Sequence, residues 1–557
     1  MANYMFLKNK KLTFNHTIIN VLLISALSLT SCVDYLRENA PGVVLLEDFF
    51  VDGAAAEQCV TACYTPMIWE YNITYFPEWF IGDVMSDDAL KGGQSTNDME
   101  QVYDMENWKT IPSNTYVRDH YITSYQGIAR CNLALQYVGN MATDTTMTLR
   151  IKQRYLGEAY FMRAYYYFHL LRIFGGVPLT TQVENDAERW VQPRASVQEV
   201  FEQIIADLKM ANDYLWVRSE YDDQDRGRAT KGAAQGMLQK VYLYMASDYW
   251  YNHYLTSLDR TELYRLSHTY GDSLITSGEY RLMPDYEFNF TLAGENNDES
   301  VFELQYMEVS WGDYGSGSGG HNGYTAGSFT QIMTRSRSSR IGGGWGFNQP
   351  THNLYDEFEP ADPRREVAIY VPDTLLMDNR AEETYCGTYL LNNKYAMYRE
   401  TDDAKAGIGA WGYHAARGPL NRAYMRYADN LLMQAESALA LSKTAEAEGY
   451  INAVRERVGL SAVGSYSFSL NGQPVENPTL EQCLRHERRM ELAMEAHRWY
   501  DLVRWGHTKQ HIEAYQATES ESARSHLATF VEGKHELLPI PTKEIELNPA
   551  LTQNPGY

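Results

Sequence analysis

The densest run of residues able to do chemistry is TLEQCLRHERRMELAMEAHRWYDLVRWG, from Thr479 to Gly506. Glu487, Glu491 and Glu495 recur every four residues, and His497, Arg498 and Asp501 follow. At that spacing the carboxylates fall on one face of a helix. Such a face can hold a metal ion, or supply the acid and base of a hydrolase. Arg488, Arg489, Arg498 and Arg504 are interleaved with them. Matched charges at this density point to an ion-pair network that holds structure. There is no Glu-x-x-His pair here, so the di-iron bundle pattern fails. Nor does the chain contain His-Glu-x-x-His, Gly-x-Ser-x-Gly or a P-loop. Two carboxylates brought together from distant stretches would still make a glycosidase site, and that alternative stays open.

The second reactive group is Cys32. Lys8, Lys10 and Lys11 precede a short apolar run, and Leu29-Thr30-Ser31-Cys32 closes it. A basic leader, an apolar stretch and a small-residue cleavage site describe an export signal, too short to span a bilayer. The LTSC ending resembles the lipobox of bacterial lipoproteins, in which Cys32 becomes the first mature residue and carries lipid on its thiol. Each buried acyl methylene contributes about 0.8 kcal/mol of anchoring. No later segment approaches 18 uninterrupted apolar residues, so contact with the membrane is expected through the lipid anchor only.

With 48 Lys+Arg against 72 Asp+Glu, the formal charge is −24. That balance argues against nucleic acid as a partner and against adhesion to anionic lipid. Beyond Cys32, the cysteines at 59, 63, 131, 386 and 483 are an odd, scattered set. They make neither a disulfide framework nor a zinc site, and read as small buried residues. Tyr (43) outnumbers Phe (18) more than twofold, a composition suited to packing surfaces that are partly wet.

Most of the elements that must position these groups are helical. In RIKQRYLGEAYFMRAYYYFHLLRIFGGVPL, residues Ile151, Tyr155, Ala159, Met162, Tyr166, Leu170 and Phe174 form one apolar stripe. Gly175, Gly176 and Pro178 end that helix. Arg163 and Arg172 lie off the stripe and are expected to meet carboxylates or water. Further helices are predicted near 117–138, 196–214, 230–250, 262–277, 421–441, 443–458 and 479–505. The last opens on the capping box of Thr479 and Gln482 and stops at Gly506. Between about 285 and 420, Gly- and Ser-rich segments read as loops on a scaffold, with VFELQY and VAIYVP as short strands. The expected fold is mainly all-α, with tetratricopeptide-like helix pairs and a loop-rich, partly β ligand face. Residues 1–31 form the signal. Residues 32–557 form a single domain: a helical part at 32–284, a loop-rich insertion at 285–420, and a helical part with an extended tail at 421–557.

Three stretches carry a family resemblance: RAYYYFHLLRIFGGVPL (163–179), ERRMELAMEAHRWYDLVRWG (487–506) and LLPIPTKEIELNPALTQNPGY (537–557). With Cys32, the early CVDYL and RYADNLLMQAES (426–437) in the same order, the chain resembles the SusD/RagB family. These are outer-membrane nutrient-uptake lipoproteins of Bacteroidetes. The resemblance implies a non-catalytic, lipid-anchored, surface-exposed protein of the outer membrane. It would bind oligosaccharide and serve a SusC-like TonB-dependent transporter as its partner. No cofactor is implied; the acidic loop ENNDES (295–300) permits Ca²⁺ without specifying it.

The resemblance also places ligand residues in two regions, 83–108 and about 306–346. In the second, Trp345 of GGGWG is the implied binding aromatic, with Trp311 and Tyr314 as companions. Sugar rings offer C–H faces to flat aromatic planes and hydroxyls to polar edges, each of which needs a partner once stripped of water. Glycines flanking a large ring leave its face uncovered. The first region departs from that pattern. Residues 91–101 hold no aromatic, and Lys91, Gln94, Asn97 and Asp98 are its polar candidates. Asp87 and Asp88 are expected to fix the loop corner. The lack of rings lends some weight to a peptide ligand, as the RagB side of the family allows, because peptide sites rely on backbone partners. A glycoside hydrolase is the third alternative.

Overall fold

The computed structural model describes residues 49–70, 76–184, 190–307, 327–338, 343–372, 388–396, 418–464, 466–519 and 527–557. Ten helices are used below: α1 (Gly53–Tyr64), α2 (Thr115–Asn140), α3 (Leu149–Phe174), α4 (Val197–Tyr214), α5 (Lys231–Ala246), α6 (Arg260–Thr276), α7 (Tyr427–Ala440), α8 (Thr444–Arg457), α9 (Leu480–Glu491) and α10 (Arg498–Arg504).

Helix α3 runs through the middle of the body. The Thr148 hydroxyl caps it by accepting from the Ile151 amide, and Gly175 ends it at φ +75°, where the Gly175 amide donates to Leu171 O. Six of the seven residues of its predicted stripe are buried, with Ile151 half-buried, but so is every residue from Phe161 to Phe174. The polar residues off the stripe therefore need internal partners. Arg163 finds a bidentate one in Asp207 (2.8 and 2.6 Å) and also donates to Asn132 and Thr181 O. Arg172 sits over the Tyr500 ring, its guanidinium carbon 4.0 Å from the centroid.

Neighbouring helices pack in chain order: α1 on α2, α2 on α3, α3 on α4, α4 on α5, α5 on α6, α6 on α7 and α7 on α8. That succession of packed neighbours is the tetratricopeptide-like arrangement. Residues 52–557 make one compact unit. The strands are short and paired in twos, all antiparallel: β1 (Ala89–Gly92) with β3 (Phe347–Pro350), β2 (Ser300–Leu304) with β6 (Arg422–Arg426), β4 (Ile369–Tyr370) with β5 (Leu391–Asn392), and β7 (Phe468–Leu470) with β8 (Gln473–Val475).

Four local expectations differ from the structure. The helix predicted over 421–441 begins as strand β6, which satisfies the edge of β2 with Leu304 opposite Arg422 and Ser300 opposite Arg426; α7 starts only at Tyr427. The helix predicted over 230–250 breaks at Ser247, whose extended backbone (ψ 153°) separates α5 from a short helix at Asp248–Tyr254. Strand β1 interrupts an N-terminal region read as helical throughout.

The helix predicted over 479–505 is two helices, α9 and α10, with Met494 and Ala496 between them at φ +62° and +63°. Its capping box is present as expected. The break has an identifiable cause. The Glu491 carbonyl, which would continue the helix, is taken by Tyr286 Oη (2.7 Å), Arg426 Nη2 (3.0 Å) and Lys394 Nζ (3.3 Å). The Ala496 amide instead donates to Asp83 Oδ1 at 2.8 Å.

Candidate functional site

The first of the two predicted ligand regions grows from a buried acidic corner. Asp87 receives both Nε and Nη2 of Arg498 (2.7 and 2.8 Å), and Asp88 receives Nε of Arg489 (2.8 Å). Burial alone would push the Asp87 carboxyl up, but the guanidiniums of Arg489 and Arg498 hold it well below its usual range. These aspartates fix the corner, and neither faces solvent. Asp83, one turn earlier, joins the Ala496 amide to the side-chain amide of Asn348 (3.1 Å). The start of β3 is thereby tied to the same corner.

From that corner β1 runs antiparallel to β3, with Ala89 opposite Pro350 and Gly92 opposite Phe347. One further hydrogen bond extends the ladder, from the Gly93 amide to Gly346 O at 2.8 Å. Gly92 and Gly346 have φ of +70° and +72°, and a Cβ on Gly92 would lie 2.1 Å from Gly346 O. Glycine is required here because two backbones meet. This is a backbone role for Gly346 beyond the expectation that the glycines of GGGWG leave the indole face uncovered.

The ladder brings the two predicted ligand regions together. Gln94 follows Gly93 and Trp345 precedes Gly346, so the two candidates adjoin opposite ends of one hydrogen bond. Gln94, Thr96 and Asn97 are exposed, and Trp345 is half-buried. The Trp345 amide donates to Ile332 O at 2.9 Å, and the Gly344 and Gly346 amides bond Ser336 O and Arg335 O. The indole thus rides on a doubled-back backbone. Trp311, Tyr314 and Cys32 lie outside the described residues. Tyr103 is half-buried, and Trp108 packs inside against Phe530 at 5.8 Å.

Lys91 corrects the expectation of an outward polar contact. It is 0% exposed, and its ammonium donates inward to Ser95 O (2.9 Å) and Asp98 O. Asp98 also turns to its own loop, taking the Gln94 amide at 2.9 Å. The register that joins residues 89–92 to 347–350 was not readable from periodicity. The KGG and GWG pairs were its one signal, as glycines inside a strand pattern mark close backbone approach.

The carboxylates that could have been catalytic are occupied. Glu487 pairs with Arg364 and Arg455; Glu491 with Arg364, Arg426 and Arg457; Glu495 with Arg426 and Lys394. All lie in the interior, and three guanidiniums hold Glu491 well below the usual carboxylate range against the upward push of burial. In the acidic loop, Asp298 pairs with Arg218 and Arg281, and Glu299 with Arg426 and Arg457. Among the described residues, no group of three or more His, Cys, Asp or Glu is placed to hold a metal ion.

Comparison with known proteins agrees with this architecture. A model of the SusD family matches residues 378–557, and a second, described as starch-binding associating with outer membrane, matches 54–243. The chain belongs to the SusD family. SusD-like protein P2 of Formosa agariphila is 26% identical over 99% of this chain and all of that one. A SusD-like protein of Bacteroides ovatus is 26% identical over 87% of this chain and 82% of its own. Among solved structures, a laminarin-binding SusD-like protein superposes with a TM-score of 0.71 at 26% identity, covering 90% of this chain and 99% of the other. Surface glycan-binding protein A of Bacteroides fluxus gives 0.73 at 24% identity, covering 90% and 99%, a likeness of fold. This SusD-family chain therefore has the fold expected of it, and no helix among its described residues is long and apolar enough to cross a membrane.

Proposed function

We propose that this protein captures oligosaccharide at the cell surface and passes it to a SusC-like TonB-dependent transporter of the outer membrane. It would do so without breaking a bond in the cargo, while held by lipid on Cys32. The observation that carries this reading is its likeness, over nine-tenths of the chain, to a laminarin-binding relative. The local geometry supports it. Trp345 and the exposed amides of Gln94 and Asn97 flank the β1–β3 junction, which offers an indole for ring C–H faces and amides for hydroxyls. The carboxylates most suggestive of hydrolysis are bound to arginines, which supports a binding role.

Calorimetry of the mature chain against a glycan panel headed by laminarihexaose tests this, with Trp345→Ala beside wild type. Saturable binding that falls at least tenfold in the variant is expected. Equal affinity would remove Trp345 from the site, and released sugar in the reaction would overturn the non-catalytic reading. A peptide cargo is the second reading, favoured by a first loop with no ring between residues 91 and 101. Binding of a mixed peptide pool with no response to any glycan would establish it.

A further inference from the structure

We propose that Lys91 is a positioning residue, a buried ammonium that shapes the loop at 93–98 from within and presets Gln94, Thr96 and Asn97 for the ligand. This rests on the β1–β3 junction being the ligand site.

Lys91 is the third residue of β1, and its side chain turns under the loop that follows rather than out to water. Nζ donates to the carbonyls of Ser95 and Asp98, so the loop closes around the charge. The ring of Phe347, from the partner strand, lies 5.4 Å from Nζ, and that of Tyr103 lies 6.0 Å away. Two carbonyl dipoles and two π faces give the ammonium the surroundings that water would otherwise supply. Next to it, the Lys91 amide donates to the buried Glu106 carboxylate at 2.6 Å.

The loop has little else to hold its shape. Among the described residues, its backbone bonds are Gly93 to Gly346 O and Asp98 to Ser95 O, and its side-chain bond is that of Asp98 with the Gln94 amide. No aromatic or aliphatic side chain between Gly92 and Asp98 packs it down. Turning the carbonyls of Ser95 and Asp98 inward to the cation leaves the side chains of Gln94, Thr96 and Asn97 facing solvent. A compact ammonium fits inside so short a turn, whereas the planar fork of an arginine is larger and spreads its donors apart. A loop already in its bound shape loses less freedom when ligand arrives, so affinity rises without any new contact.

The test uses the full mature chain with Lys91→Met and Lys91→Gln. Hydrogen exchange without ligand comes first. In Lys91→Met the Gln94 and Asp98 amides should exchange at least tenfold faster, while those of Leu149–Phe174 keep wild-type protection. Lys91→Gln retains two N–H donors and should fall between; if Lys91→Met does not fold, Lys91→Gln against wild type decides. Loop exchange at the wild-type rate in the folded variant overturns the proposal.

Affinity for laminarihexaose then separates a positioning role from a merely structural one. Asn97→Ala should weaken binding in the wild-type background and have little further effect alongside Lys91→Met, because an unpositioned Asn97 has nothing left to lose. Fully additive losses would overturn the proposal. If Trp345→Ala loses binding while Lys91→Met changes neither exchange nor affinity, the ligand site stands and the role of Lys91 falls. If exchange quickens but Trp345→Ala and Asn97→Ala both bind as wild type, the site itself is lost, and the proposal with it.

Discussion

Arg426, at the end of β6, holds Glu491 twice: Nη1 meets its carboxylate at 2.8 Å and Nη2 its main-chain carbonyl at 3.0 Å. One guanidinium therefore neutralises a buried charge and also terminates α9. Removing it would leave Glu491 and Glu495 short of compensation in the interior. Losing one partner of a buried ion pair costs about 3–5 kcal/mol. Arg426→Met should lower unfolding stability by that amount in urea titration. A loss below 1 kcal/mol would show that Arg364, Arg457 and Lys394 compensate.

Asp83 should make stability pH-dependent in an unusual direction. Burial pushes its carboxyl up to about 7, aided by the nearby Asp88 carboxylate and opposed by bonds from Asn348 and the Ala496 amide. The folded state thus binds this proton more tightly than the unfolded chain, whose value is near 3.8. The contribution is full below pH 4 and fades as pH rises toward 7, at about 1.4 kcal/mol per unit. Asp83→Asn cannot ionise. The stability difference between wild type and variant, measured by urea unfolding at pH 4.5 and 7, should shift against wild type at the higher pH. A difference independent of pH would refute the assignment.

Two glycines should respond oppositely to alanine. Gly92→Ala forces a side chain into Gly346 O at positive φ, and strain of this kind costs about 1–3 kcal/mol. It should also loosen the loop that follows. Gly449 lies inside α8 with open space at its Cβ position, so Gly449→Ala should stabilise by about 0.4–1 kcal/mol. Thermal unfolding of both variants beside wild type checks the pair.

Cys59, Cys63, Cys131 and Cys483 are free and buried. Burial, with Cys63 beside it, pushes the Cys59 thiol up to about 12, and Cys63 is raised by its hydrogen bond with Cys131 and by burial. A thiol reacts as its thiolate. Peptide mapping after iodoacetamide at pH 8 should find these four unmodified in native protein and alkylated in guanidinium. Rapid native labelling of Cys59 would contradict its placement in α1.

The amino-acid sequence by itself determined what is local. Thr148 and Gly175 bound α3, and Thr479 with Gln482 opens α9, because caps and apolar periodicity act within a few residues of one another. The ordered stretches that mark the SusD family were legible for the same reason.

Only the tertiary structure decided the rest. Nothing near Arg422 announces a strand, since its partner Leu304 lies more than a hundred residues away. Nothing near Glu491 announces a helix end, since Tyr286, Lys394 and Arg426 take its carbonyl from three separate segments. The junction that sets Gln94 beside Trp345 depends on Gly93 meeting Gly346 across the fold, and Lys91 points inward only because Phe347 and the loop carbonyls are there to receive it. Hydrogen-bond partners and buried charges are shared between distant segments, so their placement is settled when the chain closes on itself and not before.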